Sequence, residues 1–288
     1  PTSPRKESSA ASDVYKRQHP RRRSEEPDFW DNAEVLRGVL IRVFIYFLVA
    51  FSVAFVLVPR IFDSVILGPC RADFVTYRCI EWLSPVESFE TGSFPIELVN
   101  IRLGTQFFLH IRVAIAIALI VLVPPVLIEV WYFVRPGLYR GEAIALRHVL
   151  LGMPILFYLG VLVGYFLVFP LTLHFLVFYN LSDLIANQLS LESYMSNFFT
   201  LISAMGIIFL LPLVVKLLAT IGVLNADTLK RGRKYAVVIL LILAAVITPS
   251  GDPLTMTVVF VPLYLLYELS VLMVRVEKPG VAKSSLSD

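Results

Sequence analysis

A polar, cationic stretch separates two long apolar runs and ends in an acid. Residues 131–142 read WYFVRPGLYRGE and include Arg135, Arg140 and Glu142. A carboxylate flanked by apolar surface would bind a guanidinium group more strongly than it would in bulk water. An acid also suits the start of a helix, where the helix dipole favours negative charge. The sequence alone leaves both interpretations of Glu142 open, a binding group or a charge at a helix start.

Motifs for other chemistry are missing from the sequence. It contains no HExxH, GxSxG, GxGxxG or phosphate-binding G-x-x-x-x-G-K-[ST] pattern. His110, His148 and His174 are scattered, which favours packing over metal ligation. No acid lies in the middle of an apolar run, where a proton relay or an ion-coupling site is expected. We therefore expect neither an enzyme nor a bound metal or cofactor, and a secondary solute transporter stays only as an alternative.

Composition indicates an integral membrane protein. Apolar residues make up 57% of the 288 residues and charged residues 16%, whereas soluble domains average about 25% charged residues. An apolar helix of about 20 residues spans the roughly 30 Å of a bilayer core. We predict an all-α fold with six transmembrane helices, the last two of them short. The apolar runs are Val39–Val58, Phe107–Phe133, Val149–Phe178, Phe198–Leu224, Tyr235–Ile247 and Leu254–Val274.

Two of these regions carry further signals. Gly160 and Gly164 are four residues apart in the third run, a spacing that lets another helix approach closely. Residues 60–106 form a polar segment that is too long to be structureless, so short helical turns are expected there. Cys70 and Cys79 lie in this segment. The sequence does not decide whether they form a disulfide.

The distribution of cations predicts the topology. Lysine and arginine concentrate in residues 1–37, 134–148 and 216–234 and in the tail after residue 274, whereas residues 179–197 contain none. The positive-inside rule then places both termini and the 134–148 loop in the cytoplasm.

The chain divides into three predicted segments. Residues 1–28 are a polar, basic arm that cannot bury a core and is expected to be disordered. Within this arm, residues 1–18 resemble non-native translated leader sequence and are not expected to be part of the fold. Residues 29–276 form the six-helix membrane domain, and residues 277–288 form a cytoplasmic tail.

The residues around Glu142 match a known family pattern. The TatC family, the polytopic core of the twin-arginine protein translocase, carries F-x-x-P-x-L-Y-x-x-E. The chain resembles this family over its whole predicted membrane domain. The pattern is read here as Phe133, Pro136, Leu138, Tyr139 and Glu142, and further matches are Phe29-Trp30-Asp31, Leu36-Arg37, Gly68-Pro69, Tyr165–Pro170, Arg233-Lys234-Tyr235, Ile247-Thr248-Pro249, Asp252 and Tyr267-Glu268.

The resemblance implies a function and a binding site. Members of the family bind the signal peptides of folded cargo proteins that carry a twin-arginine motif. Binding takes place at the cytoplasmic face, through the N-terminal segment and the first cytoplasmic loop. The loop glutamate is expected to contact the signal arginines. The implied signal-peptide residues are Glu142, Tyr139, Pro136, Phe133, Arg37 and Glu34.

The resemblance also implies partners and a location. Members assemble with single-span proteins of the TatA and TatB type and self-associate in a receptor complex. Transport across the bacterial inner membrane draws on the proton-motive force. Thr248 and Asp252 fall in the region where a partner helix docks.

The chain departs from the family pattern at positions that bear on the implied function. In the N-terminal pattern H-L-x-E-L-R the acid stands where this chain has Val35, so Glu34 is displaced by one residue. One residue rotates a helix position by about 100°. An acid that is frequent in the fourth helix of the family is Leu210 here. A translocation-inactive scaffold of the same fold therefore remains an alternative.

Overall fold

The computed structural model describes most of the chain in two compact units, residues 1–42 and 43–288. The predicted N-terminal arm and C-terminal tail lie outside the described residues. The described residues are 29–71, 73–83, 98–134, 140–179, 188–220, 224, 226–248 and 251–276.

The described part is mainly helical, with one small pair of strands. Strands β1 (Leu98–Val99) and β2 (Leu189–Ser190) are parallel, and Leu98 pairs with Leu189. The helices are α1 Phe29–Ile61, α2 Val75–Leu83, α3 Thr105–Val134, α4 Arg140–Val163, α5 Phe169–Phe178, α6 Leu191–Ile208, α7 Leu211–Thr220, α8 Ala226–Arg231, α9 Arg233–Ile247 and α10 Pro253–Val276.

Five helical stretches in the described part are long and apolar enough to cross a membrane, which agrees with the predicted helical membrane class. The exact number of spans stays a prediction, because α9 has only 15 residues, about 22 Å of helix. The five stretches are 33–82, 105–133, 149–178, 191–219 and 253–274.

The last helix is longer than the sequence suggested. Helix α10 has 24 residues, about 36 Å, so the prediction that it is short is wrong. Pro262 lies inside the helix and does not end it. Pro253 occupies the first helical position, where a missing N–H costs nothing because that group has no helical partner. The prediction of a short helix is therefore supported only for α9.

The glycine pair in the third run packs as its spacing predicts. A Cβ atom on Gly160 would lie 2.6 Å from the carbonyl oxygen of Met205 and 2.7 Å from Cβ of Phe209. A Cβ on Gly164 would lie 3.1 Å from Cα of Ile202. Only a residue without a side chain lets α4 and α6 come this close. The predicted close helix approach is confirmed.

Residues 62–83, here called the tyrosine-bonded segment, contain the short helical turns predicted for the 60–106 region. They comprise a π-helical turn Phe62–Ile66, a 3-10 turn Gly68–Cys70 and helix α2. Both cysteines of this segment are free thiols, with Cys70 partly buried and Cys79 exposed. The structure therefore contains no disulfide between them.

Tyrosine hydroxyls attach this segment to two membrane helices. Tyr194 on α6 donates to the carbonyl of Ile66 at 2.6 Å. Tyr165 donates to the carbonyl of Val65 at 2.7 Å from a π-helical turn, Gly164–Val168, that joins α4 to α5. These bonds use backbone carbonyls that the short turns leave without a helical donor.

Two side chains of α2 complete the attachment. Tyr77 donates to the carbonyls of Pro69 (3.1 Å) and Pro170 (3.2 Å). The hydroxyl of Thr76 donates to the carbonyl of Phe166. In an α-helix, the N–H of residue 170 would donate to the carbonyl of Phe166, four residues earlier. Proline has no N–H, so Pro170 cannot make this bond. Thr76 therefore supplies the donor that the proline cannot.

Candidate functional site

The connection between α3 and α4 carries the loop residues that the sequence analysis selected. Phe133 is partly buried in the last turn of α3. Glu142 is the third residue of α4, and only its backbone is described. Pro136 and Tyr139 lie outside the described residues. The position in a first helical turn agrees with Glu142 as a charge at a helix start.

The N-terminal candidates lie on α1 in the first compact unit. Glu34 and Arg37 are both exposed. They are three residues apart on one helix, so their side chains leave from the same face. Val35, at the usual place of the acid, is exposed as well.

Glycine contacts between helices show which helix ends lie on the same side of the bundle. A Cβ atom on Gly152 of α4 would lie 3.3 Å from a methyl carbon of Leu213 on α7, and Gly164 packs against Ile202 on α6. Later residues of the 140–168 stretch thus contact earlier residues of the 191–220 stretch, which means that α4 is antiparallel to α6 and α7. The start of α4, with Glu142, is therefore at the same end as the C-terminus of α7.

Residues 226–234, here called the basic end, follow α7 and are tied to α10. A guanidinium nitrogen of Arg233 lies 2.7 Å from one carboxylate oxygen of Glu268, and the other oxygen accepts from the Tyr264 hydroxyl at 3.1 Å. The hydroxyl of Tyr267 donates to the carbonyl of Leu229 at 2.6 Å. Glu268 neutralises one cation of this end. Further positive charge comes from Lys230, Arg231 and Lys234.

A buried acid near this end was not recognised as such in the sequence. Glu129 on α3 is only 6% exposed. One of its carboxylate oxygens lies 3.5 Å from the hydroxyl of Tyr46 on α1. Buried carboxylates need polar partners because they lose their hydration. The available signal was an acid near the end of the apolar run Phe107–Phe133, a position that does not by itself tell whether the acid is buried.

The residues assigned to partner docking frame the turn between α9 and α10. Thr248 is 3% exposed, and its hydroxyl donates to the carbonyl of Ala244 at 2.9 Å. Asp252 accepts from the backbone N–H of Thr255 at 2.8 Å, the geometry of a helix N-cap. Gly251 between them has φ +59°, which favours glycine. Both side chains thus have a structural role at this turn, and docking stays a prediction.

Leu210 lies where the fourth predicted run breaks. The backbone turns at Phe209 and Leu210, between α6 and α7, and Pro212 follows in the first turn of α7. Phe209 is buried and Leu210 is partly buried. An apolar side chain therefore occupies the place at which relatives frequently carry an acid.

Comparison with known proteins identifies the family. Residues 31–262 match the family described as TatC, Sec-independent protein translocase protein. The chain belongs to the TatC family. The TatC protein of Blattabacterium sp. subsp. Periplaneta americana (strain BPLAN) is 34% identical over 251 residues, covering 85% of this chain and 94% of that protein. The TatC protein of Aquifex aeolicus (strain VF5) is 37% identical over 181 residues, covering 62% and 75%.

A solved structure agrees with this TatC assignment. A crystal structure described as the twin-arginine translocase receptor TatC superposes with a TM-score of 0.65 at 32% identity, covering 85% of this chain and 98% of that chain. The resemblance seen in the sequence is confirmed. As a TatC protein, the chain is a polytopic membrane subunit of a protein translocase and not an enzyme.

Proposed function

We propose that the chain is the signal-peptide receptor of a twin-arginine translocase. It binds the twin-arginine motif of folded cargo at the cytoplasmic face and exports that cargo across the bacterial inner membrane, using the proton-motive force. The observation that carries the proposal is the agreement, over 85% of this chain and 98% of that chain, with a structure described as the twin-arginine translocase receptor. The position of Glu142 at a helix start supports it.

The proposed site is centred on Glu142. Its carboxylate forms charge-assisted hydrogen bonds to a signal-peptide guanidinium, with Phe133, Pro136 and Tyr139 shaping the surroundings. Family resemblance assigns Arg37 and Glu34 to the same peptide. Arginine is suited to this contact because its planar fork of N–H groups matches a carboxylate, whereas lysine offers a single point charge.

Peptide binding tests this site directly. The full chain in detergent is titrated with a fluorescent twin-arginine peptide and with its twin-lysine counterpart. Glu142→Gln should weaken binding of the twin-arginine peptide about tenfold or more, the loss expected for one charge-assisted hydrogen bond. Glu81→Gln is the matched control, an exposed acid on α2 in the tyrosine-bonded segment. Equal affinity of the Glu142→Gln variant and the unchanged chain would remove Glu142 from the site.

The proposal extends to topology and partners. Helix α9 would be the short fifth of six spans, with both termini in the cytoplasm. TatA- and TatB-type single-span proteins would dock near Thr248 and Asp252, and copies of the chain would associate in the receptor complex. A photo-crosslinking residue at Val246, which is 77% exposed and lies two residues before Thr248, should capture a single-span partner in membranes, whereas one at exposed Trp82 should not.

Complementation separates this function from the alternatives. A translocase-deficient strain that expresses the chain with its own single-span partners should regain export of a folded twin-arginine reporter. Export should stop when the signal arginines are replaced by lysines. A translocation-inactive scaffold would leave the strain deficient while still binding peptide, and a solute transporter would do neither.

A further inference from the structure

Arg112 is an exposed cation on a membrane-crossing helix. It lies two turns inside α3, about 10 Å along the axis from Thr105. Among the residues that the structure describes, no hydrogen bond or ion pair is made by its guanidinium. A charged group at this depth is expensive unless it is paired or reaches the membrane surface. A partner from outside the described residues is therefore expected.

Arg112 lines an open cavity of about 400 Å³. Arg102 and Glu192 also line it, and their side chains form an exposed ion pair with an N–O distance of 3.4 Å. Thr105 adds a hydroxyl at the start of α3. The cavity therefore combines two cations, one anion and a neutral polar group, and its volume is in the range of small-molecule sites.

Exposed apolar side chains border this polar cavity. Leu103 and Phe108 line it, and Phe108 is 69% exposed. Ile101 and Phe107 next to them are exposed as well. Large apolar side chains beside cations at the end of a membrane helix suit the boundary between headgroups and acyl chains. A ligand of this cavity should thus carry both a polar head and a hydrocarbon chain.

We propose that the cavity binds one zwitterionic phospholipid from the leaflet at this end of α3. The lipid phosphate pairs with the Arg112 guanidinium, whose fork of donors suits phosphate oxygens. The headgroup ammonium lies against the Glu192 carboxylate, and the acyl chains cover Phe107 and Phe108. The presence of Glu192 beside the two arginines favours a headgroup that ends in an ammonium over one that ends in neutral hydroxyls, because the carboxylate attracts the ammonium.

Lipid retention by the purified full chain tests the proposal. The protein is delipidated in detergent, incubated with phosphatidylethanolamine or phosphatidylglycerol, and the bound lipid is counted by native mass spectrometry. Arg112→Gln should reduce retained phosphatidylethanolamine about tenfold, the effect of losing one charge-assisted contact. Arg71→Gln, which removes an exposed cation of the tyrosine-bonded segment that does not line the cavity, should change nothing. Equal retention by Arg112→Gln and the unchanged chain would overturn the site.

Two further variants identify what is bound. Arg112→Lys keeps the charge and the fold but loses the fork of donors, so it should retain lipid at an intermediate level; full retention would overturn the phosphate contact. Glu192→Gln should shift the ratio of bound lipids towards phosphatidylglycerol, and an unchanged ratio would overturn the ammonium contact.

Millimolar inorganic phosphate should not displace the lipid. Displacement by phosphate alone would show a free-anion site instead of a lipid site.

Discussion

The tyrosine-bonded segment and the basic end are held to the membrane helices by different chemistry. At the tyrosine-bonded segment, neutral hydroxyls donate to backbone carbonyls, and both Tyr77 and Tyr194 are only 1% exposed. At the basic end the clearest tie is an ion pair, in which the side chains of Arg233 and Glu268 are 49% and 28% exposed. The hydrogen bonds at the tyrosine-bonded segment join neutral groups, and those of Tyr77 and Tyr194 are buried, whereas the ion pair at the basic end is partly exposed.

The two kinds of contact differ in how much they stabilise the fold. A buried carbonyl that loses its donor is left without any hydrogen bond, which destabilises the fold. Buried hydroxyl–carbonyl bonds therefore fix the position of the segment that they attach. An exposed ion pair contributes little to stability because water already solvates both charges. The basic end, which packing places on the side of Glu142, thus carries an ion pair that contributes little to stability. The polar groups that attach the tyrosine-bonded segment contribute to the stability of the fold.

The largest effect is expected from Tyr77→Phe. The variant leaves the carbonyls of Pro69 and Pro170 without this donor, which should destabilise the chain by about 3 kcal/mol. Thermal unfolding in detergent measures the change. Tyr235→Phe is the control, because Tyr235 is 75% exposed. Similar melting temperatures for both variants would contradict the contrast between a buried and an exposed end.

A smaller effect is expected from Thr76→Val, which removes the donor to the Phe166 carbonyl while keeping the side-chain shape. The expected loss is about 1–2 kcal/mol. Pro170→Ala restores a backbone N–H four residues after Phe166, so Thr76→Val should matter less in that background. Thermal unfolding of the unchanged chain, the two single variants and the double variant gives the coupling free energy between Thr76 and Pro170. Strictly additive effects would show that threonine does not replace the proline donor.

The smallest effect is expected from Arg233→Gln. Breaking a partly exposed ion pair should lower the free energy of unfolding by less than about 1 kcal/mol, and the loss should shrink further at high salt. Lys234→Gln, an exposed neighbour, is the matched control. A loss as large as that of Tyr77→Phe would mean that the basic end is structural after all.

Local patterns in the sequence account for several features of the fold and the candidate site. The Gly160–Gly164 spacing predicted the close contact with α6, because a missing side chain permits close approach whatever the partner helix is. A helix start was one of the two interpretations of the acid in the 131–142 stretch, and Glu142 lies in the first turn of α4. The family pattern around it was sufficient to predict a translocase subunit.

Only the tertiary structure decided which polar groups are buried and what they contact. Glu129 lies in the apolar run Phe107–Phe133, and only the structure shows that it is buried and that its carboxylate lies beside the hydroxyl of Tyr46 on α1. Tyr77 and Thr76 belong to a polar segment, and their acceptors at Pro170 and Phe166 are some ninety residues away in the chain. The length of α10 depended on whether Pro262 would end it. Burial and hydrogen bonding depend on neighbours that are distant in sequence, whereas apolar periodicity and glycine spacing depend only on residues nearby.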